Sequence, residues 1–173
     1  MNYAKIIKAD IANGEGFRIS LYVSGCGRNC PGCFNKVAQD PCYGKLFDDT
    51  AKEIIFNELK NDWCKGLSFL GGEPLSKLSD NRKQIIAFAK EVKEKFPDKN
   101  IWMWTGYTYE EILNSSEMRE ILNYVDVIID GPFIQEEKDI TLSWKGSKNQ
   151  RVIDVKKSSN NNIIIFDKIS YKS

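Results

Sequence analysis

Short apolar segments alternate along the chain with segments in which apolar residues recur every three or four positions. The short segments have the length and composition of β-strands. They lie at residues 3–9, 17–23, 67–70, 101–104, 125–129 and 151–155. The clearest is 17–23, where Phe, Ile, Leu and Val alternate with Arg, Ser and Tyr. Strands separated by helical segments predict a parallel sheet with helices packed against it.

Helical periodicity begins in three places: near Asp49, at Leu78 and at Thr108. Thr108 and Glu111 have the spacing of a capping box, and the helical pattern that they open continues to about Asn123. A complete eight-stranded α/β barrel takes about 250 residues, whereas this chain has 173. We therefore expect an α/β fold, a partial (open) TIM-like barrel of five or six mostly parallel strands with outer helices.

The organisation of the chain indicates one domain. No repeat or interdomain linker interrupts the sequence, so residues 1–173 are predicted to form a single unit with a core at about 3–155. Residues 156–173 are predicted to be a short C-terminal extension. Its apolar run at 163–166 is expected to add an edge strand beside 151–155 or to form an association surface.

Composition argues against several classes of partner. Lys and Arg number 25 against 24 Asp and Glu, and this net charge of +1 provides no electrostatic footprint for nucleic acid. The sequence has no run of about 18 apolar residues that would span a membrane. The first residues lack the apolar h-region and the small-residue cleavage site of a signal peptide. We therefore expect a cytoplasmic protein without nucleic-acid or membrane partners.

The chain has no histidine and five cysteines. Without histidine, Ser–His and Cys–His nucleophile pairs are excluded, and the commonest metal ligand is missing. Five is an odd number of cysteines in a chain without an export signal. This count favours metal binding or catalysis over disulfide bonds.

Three of the cysteines, Cys26, Cys30 and Cys33, form a C-x3-C-x2-C motif directly after the strand at 17–23. Their thiolates can converge on one soft metal centre. Because structural zinc sites and iron–sulfur clusters usually have four protein ligands, three ligands suggest a centre with one open coordination position. The spacing favours an iron–sulfur cluster. The alternatives are a zinc site completed by Cys42 and core cysteines that bind no metal.

Three further loops follow predicted strands at their carboxyl ends. They contain Gly71, Gly72 and Glu73, then Thr105, and then Asp130. Ligands bind at this edge of parallel α/β sheets, so we expect these loops to converge with the cysteine motif on one site. Two of the loops also have structural alternatives: a Gly-Gly turn that ends a strand with a solvated Glu73, and an Asp130 that caps the turn after it.

The cysteine motif together with Gly71-Gly72-Glu73-Pro74 resembles the radical S-adenosylmethionine (SAM) superfamily. Further segments resemble one family within it, the activating proteins of anaerobic ribonucleotide reductases. They lie at residues 13–18, 23–26, 33–35, 104–107, 130–133 and 146–154. The last of these, Gly-Ser-x-Asn-Gln-Arg-Val-Ile-Asp, discriminates best, because the cysteine motif alone occurs in many unrelated enzymes.

This resemblance implies that Cys26, Cys30 and Cys33 hold three irons of a 4Fe-4S cluster whose fourth iron chelates SAM. Reductive cleavage of SAM would give a 5′-deoxyadenosyl radical, which takes a hydrogen atom from a glycine of the partner, an anaerobic ribonucleoside-triphosphate reductase, and leaves a glycyl radical. The chain would then be an oxidoreductase whose cofactors carry the chemistry without a histidine base. Its electron donor would be a protein such as flavodoxin or ferredoxin.

The resemblance also implies a set of SAM contacts. Those at the methionine amino group would be Gly71, Gly72 and Glu73. Those at the adenosyl group would be Gly32 and Phe34, and the cofactor pocket would continue along the loops of Thr105 and Asp130. Many superfamily members have an aromatic residue where this chain has Gly32, and Phe34 would supply that contact. Cys42 and Cys64 match no cluster position and are expected to be structural thiols.

Two other functions are compatible with the sequence. One is radical SAM chemistry on a small molecule, as in compact deazapurine-forming enzymes, and the other is a zinc-binding interaction module without enzyme activity. A partial barrel has a wide mouth that suits a protein loop better, because such a loop itself excludes water. The segment 133–151 places apolar residues among charges, and we hypothesise that Trp144 and Lys145 dock the reductase. Packing of that segment on its own domain is the alternative.

Overall fold

Seven strands form one mixed sheet in the computed structural model, which describes residues 1–167. The strands are β1 (Asn2–Asp10), β2 (Phe17–Val23), β3 (Lys45–Leu46), β4 (Cys64–Gly71), β5 (Asn100–Trp104), β6 (Val127–Asp130) and β7 (Arg151–Asp154). Their order across the sheet is β3-β1-β2-β4-β5-β6-β7. The neighbours β2, β4, β5 and β6 are parallel, whereas β3, β1 and β7 pair antiparallel at the two sides.

The expected α/β class and the open sheet are confirmed within the described residues, but the expected strand number of five or six is wrong. The additional strand is β3, whose two residues are too short to show any periodicity in the sequence. Parallel pairing is confined to the four central strands. The interpretation of the sheet as part of a barrel stays a prediction.

Three α-helices connect the strands: α1 (Asp49–Leu59), α2 (Asn81–Lys95) and α3 (Tyr109–Leu113). The Asp48 carboxylate accepts the Ala51 N–H at 3.0 Å and caps α1. The capping box of α3 is confirmed, since Thr108 and Glu111 exchange both of its hydrogen bonds. Such caps satisfy the free N–H groups of a first helical turn.

The expected helix from Thr108 to about Asn123 is wrong beyond Leu113. The Ser115 hydroxyl accepts the Met118 N–H at 3.3 Å, and this side-chain bond starts a new turn that competes with continuation of α3. The chain continues as a 3-10 helix at Arg119–Asn123. The next strand begins at residue 127 instead of 125 because the Val125 N–H still bonds to the Ile121 carbonyl.

The two faces of the sheet have different partners, as the alternation in β2 predicts. One face belongs to the main core with the helices, and β2 contributes Ile19, Leu21 and Val23 to it. On the other face Trp102 packs with Val127 and Ile129, and the partly buried Trp144 and Phe166 cover them. Because helices cover only one face, the second is available for a site at its carboxyl edge.

Arg18 occupies the second face near the amino ends of the strands and is fully buried. Its guanidinium donates to the Ser68 hydroxyl at 2.8 Å, to the Asn100 side-chain oxygen at 2.6 Å and to the Leu67 carbonyl at 2.9 Å. Burial lowers the pKa of Arg18 to about 10. A Cβ on Gly14 would lie 2.8 Å from Arg18 Cδ, which explains a glycine at that position.

The last described residues pair with β7, as expected for an edge strand. Ile165 forms an antiparallel bridge with Ile153, and the Phe166 N–H donates to the Val152 carbonyl at 2.8 Å. The final six residues of the expected extension, 168–173, lie outside the described part of the chain. Across residues 1–167, none of the helices has the length and apolar character needed to cross a membrane.

Candidate functional site

Four loops meet at the edge formed by the carboxyl ends of β2, β4, β5 and β6. A cavity of about 340 Å³ opens between them on the face of the sheet that the helices do not cover. Its lining includes Tyr22, Phe34, Leu70, Gly71, Trp104 and Phe133. Residues from all four loops or the strand ends before them therefore surround one apolar, partly aromatic space, as the convergence argument predicts.

The loop after β2 carries the three motif cysteines and is fixed at its stem. The Gly25 N–H donates to the Ala38 carbonyl at 2.8 Å, and the Cys26 N–H donates to the Gln39 carbonyl at 3.1 Å. Further along, the Cys33 N–H donates to the Cys30 carbonyl at 3.2 Å. Cys26, Cys30 and Cys33 are free thiols of intermediate exposure. The loop thus presents three free, partly exposed cysteines above a closed stem.

The chemistry of these donors fits an iron–sulfur cluster, because three thiols of one loop are the soft ligands that iron–sulfur centres use. Their side chains are not in a ligating arrangement, and within residues 1–167 no three Cys, Asp or Glu side chains are grouped as metal ligands. Burial raises the pKa of the Cys26 thiol, against the lowering effect of the Arg28 backbone N–H. Metal binding would have to displace that thiol proton.

The two remaining cysteines lie apart from the motif. Cys64 is buried at the start of β4, opposite the edge that carries the loops, and its thiol faces the Gly66 carbonyl at 3.6 Å. Cys42 is exposed, and its backbone bonds to the side chains of Asn2 and Asp40. Within the described chain, Cys42 joins no group of metal-binding side chains.

Gly71 and Gly72 let the loop after β4 pass directly under the stem of the cysteine loop. The Gly72 N–H donates to the Val23 carbonyl at 2.8 Å. A Cβ on Gly72 would lie 2.7 Å from the Ala38 carbonyl oxygen and 2.8 Å from that of Gly25. Gly71 has a φ of 110°, which favours glycine. The two glycines therefore allow the loop after β4 to pack closely against the backbone of the cysteine-loop stem.

Glu73 is buried, and its carboxylate joins two loops. Oε1 accepts the Leu75 N–H at 3.0 Å and the Thr105 hydroxyl at 2.8 Å, while Oε2 accepts the Gly106 N–H at 2.8 Å. Burial raises the pKa of Glu73 against the opposing effect of these donors. The alternative of a solvated Glu73 is wrong. Thr105 is also buried, and its hydroxyl accepts the Tyr107 N–H.

Arg28, between the first two motif cysteines, was not recognised as a site residue from the sequence. Its Nε lies 3.6 Å from Glu73 Oε2, and its guanidinium carbon lies 4.2 Å from the centre of the Tyr107 ring. Gly106 leaves the space for this side chain, since a Cβ there would lie 2.4 Å from Arg28 Cδ. A lone cation in a cysteine loop gives no sequence signal for such contacts.

Asp130, the last residue of β6, is buried and holds two other elements. Its Oδ2 accepts the Tyr109 N–H at 2.8 Å at the start of α3, so it caps that helix and not the turn after itself. Its two oxygens also accept Arg151 Nε at 3.1 Å and a terminal Arg151 nitrogen at 2.5 Å. The second terminal nitrogen of Arg151 donates to Glu110 at 3.0 Å. Asp130 therefore connects β6, α3 and β7.

The Gly-Ser-x-Asn-Gln-Arg segment, residues 146–151, is hydrogen-bonded to the turn that follows Asp130. Asn149 donates to the Pro132 carbonyl at 2.8 Å, and the Gln150 amide donates to the Gly131 carbonyl at 2.9 Å. The Gln150 side-chain oxygen in turn accepts the Gly146 N–H at 2.9 Å. These polar side chains have structural partners, which accounts for the distinctive sequence of this segment.

Gly32 and Phe34 flank the third motif cysteine in different surroundings. Gly32 has a φ of 71°, and a Cβ there would lie 2.4 Å from the Gln135 side-chain oxygen. A larger residue at position 32 would have to displace the Gln135 side chain and adopt a left-handed backbone conformation that favours glycine. Phe34 is 91% exposed and lies at the cavity, where it is free to contact a bound group.

The hypothesis that Trp144 docks a partner is not supported by its surroundings. The Trp144 ring packs on Trp102, with centroids 4.8 Å apart, and on Phe166 at 6.0 Å. Its carbonyl accepts the Trp104 indole N–H at 2.6 Å. Lys145 donates to the Gln150 carbonyl at 2.9 Å. Both residues serve the packing of this segment on its own domain.

Comparisons with known proteins point to one family. The model of a family described as "4Fe-4S single cluster domain" matches residues 12–153. The chain is similar to the anaerobic ribonucleoside-triphosphate reductase-activating protein of Haemophilus influenzae, with 45% identity over 152 residues, 87% of this chain and 96% of the relative. Proteins of the same name share 41% identity in Enterobacteria phage T4 (88% of this chain, 93% of the relative) and 39% in Escherichia coli K12 (88% and 97%). No solved structure matches the chain significantly.

Proposed function

The chain belongs to the family of anaerobic ribonucleoside-triphosphate reductase-activating proteins, and we propose that it activates such a reductase by generating a glycyl radical on it. The observation that carries this proposal is a loop with three free thiols whose residues Phe34 and Asn35, next to Cys33, line an aromatic cavity. The family relationship supports the iron–sulfur part of the proposal.

Cys26, Cys30 and Cys33 would hold a 4Fe-4S cluster with one iron open to SAM. When bound and reduced, the cluster would supply the electron that cleaves SAM to methionine and a 5′-deoxyadenosyl radical, the species that takes hydrogen from a glycine Cα of the reductase. The protein's contribution is then placement, exclusion of water and electrostatics.

The residues around the cavity suit these tasks. Apolar and aromatic walls that include Leu70, Trp104 and Phe133 would keep water from a reactive intermediate. Phe34 would contact the adenosyl group beside Gly32. The loop of Gly71, Gly72 and Glu73 would receive the methionine amino end, as its place next to the cysteine stem favours.

Thr105 and Asp130 would act indirectly, because both are buried and bonded to protein groups. Thr105 would hold the Glu73 carboxylate, and Asp130 would fix the loop after β6. The electron donor is proposed to be a small redox protein such as flavodoxin or ferredoxin.

Anaerobic reconstitution with iron and sulfide tests the cluster. We expect about four irons per chain, SAM cleavage once a reductant is added, and loss of both in Cys26→Ser, Cys30→Ser and Cys33→Ser. The matched control is Cys42→Ser, an exposed cysteine outside the motif. Stoichiometric zinc with no visible absorbance would contradict the proposal.

The glycyl radical is tested with the cognate reductase. We expect an electron paramagnetic resonance signal of a carbon-centred radical on the reductase that depends on SAM, on a reductant and on the three motif cysteines. SAM cleavage that never yields this signal would instead favour a small-molecule substrate.

A further inference from the structure

The side chain of Arg28 leaves the cysteine loop and ends between two other loops of the site. Its Nε is 3.6 Å from Glu73 Oε2, and its guanidinium carbon is 4.2 Å from the Tyr107 ring centre. The contact with the ring has the geometry of a cation–π interaction. Because the carboxylate is only 3% exposed and the arginine side chain 26% exposed, water screens this ion pair weakly.

The loop itself is weakly held where Arg28 leaves it. Its stem is bonded at Gly25 and Cys26, whereas between residues 27 and 33 the backbone bond among described residues is the one from Cys33 to Cys30. Glu73, in contrast, is fixed by three donors from the loops after β4 and β5. Arg28 therefore connects a compliant loop to a rigid carboxylate.

The ion pair between Arg28 and Glu73 also lacks a hydrogen bond. The distance of 3.6 Å exceeds that of a normal hydrogen bond, and the buried Nε of Arg28 has no hydrogen-bond partner within the described chain. The guanidinium is thus held by charge and by the Tyr107 ring, in a space that depends on the absence of a side chain at Gly106.

We propose that Arg28 is a positioning residue for the metal centre. Held between Glu73 and Tyr107, it fixes the first part of the cysteine loop, and its positive charge, carried on the same loop as the thiols, favours the reduced form of a cluster bound there. This inference rests on the proposed function for the cluster itself, but the restraint on the loop exists in the metal-free chain as well.

Two single variants remove the contact from opposite sides. Arg28→Ala deletes the side chain. Gly106→Ala displaces it, because the new Cβ would lie 2.4 Å from Arg28 Cδ and 2.6 Å from Nε, while the Gly106 N–H that bonds Glu73 is retained. Arg28→Lys keeps the charge and serves as the conservative variant. Arg119→Ala, an exposed arginine on a 3-10 helix, is the matched control.

In the reconstituted protein, we expect Arg28→Ala and Gly106→Ala to lose iron to a chelator about tenfold faster than the parent, the usual scale for residues that support metal ligands. Gly106→Ala should add nothing in the Arg28→Ala background, since the clash is then absent. The midpoint potential should become more negative in Arg28→Ala and return toward the parent value in Arg28→Lys.

Hydrogen exchange of the metal-free protein keeps the inference separate from the proposed function. We expect faster amide exchange at residues 27–33 in Arg28→Ala and Gly106→Ala, and parent-like exchange in Arg119→Ala. If the parent binds no cluster, the proposed function fails while this readout still decides about the restraint. Parent-like exchange in both variants would overturn the restraint, and an unchanged potential would overturn the role of the charge. If Arg28→Ala does not fold, hydrogen exchange in Gly106→Ala decides about the restraint, and the midpoint potential of Arg28→Lys decides about the charge.

Discussion

Two buried carboxylates lie at the same edge of the sheet and differ in how they bind their arginines. Asp130 is 1% exposed and accepts three hydrogen bonds from Arg151, including two from its guanidinium at 2.5 and 3.1 Å. Glu73 is 3% exposed, and its arginine, Arg28, stays 3.6 Å away without a hydrogen bond. Charge and burial are similar, but the bonding is tight in one pair and loose in the other.

The difference follows from where each arginine originates. Arg151 belongs to β7 and is fixed by strand pairing with Asp130 itself, so its pair joins elements of the framework. Arg28 belongs to the half-exposed loop that carries the motif cysteines, so its pair joins the framework to the candidate metal-binding segment. We infer that the tight pair serves folding and the loose pair serves the site.

The largest effect on stability is expected for Asp130→Ala. This change leaves the Tyr109 N–H without its acceptor and Arg151 with only Glu110, so the free energy of unfolding should fall by about 3 kcal/mol, the lower end for a broken buried pair. Urea unfolding measures this loss, with the exposed Glu136→Ala as control. A loss below about 1 kcal/mol, the size of a surface pair, would remove the contrast between the two carboxylates.

Glu73→Gln should have a smaller effect on stability and a distinct effect on the site. The amide keeps the shape but directs N–H groups at donors that now bond to the carboxylate, at a cost of about 1–3 kcal/mol. Because Arg28 also loses its counter-ion, iron loss from the reconstituted protein should accelerate, whereas a folded Asp130→Asn variant should retain iron. Equal iron retention in the two variants would contradict the separation of roles.

The sequence predicted where these carboxylates lie better than what they do. Glu73 and Asp130 each follow an apolar strand, and parallel strands bring such positions to one edge, so their convergence could be foreseen. Their partners could not, because Arg28 and Arg151 come from other loops or strands and no local pattern marks them. Periodicity likewise predicted β2 and the capping box of α3 correctly.

Prediction was less successful where local side-chain bonds or tertiary contacts override the periodic pattern. The bonds of Ser115 end α3 early, although the apolar spacing continues to Leu122. Trp144 has the sequence surroundings of an exposed anchor, yet Trp102 and Phe166, from remote elements, cover its ring. The helix was overextended because periodicity does not encode a side-chain bond, and the contacts of Trp144 were missed because its partners are distant in sequence.

The smallest effect is expected on the outer side of the tight pair, at Glu110. Its side chain is 52% exposed and bonds to Arg151 at 2.7 Å. Glu110→Gln should therefore cost about 0.5 kcal/mol at pH 7 and low salt, as for other surface pairs. The hydrogen bond from Arg151 holds the pKa of Glu110 below its usual value of 4.5 in the folded protein.

A folded-state pKa that is lowered means that this stabilisation is present above about pH 4.5 and is lost as the pH falls through the lower, folded value. Urea unfolding of the parent and of Glu110→Gln should consequently give a difference at pH 7 that shrinks at pH 3 and in high salt. A difference that is the same at both pH values would show that Glu110 acts through packing. Arg151 would then owe its fixed position to Asp130 alone, which would sharpen the contrast with the loosely held Arg28.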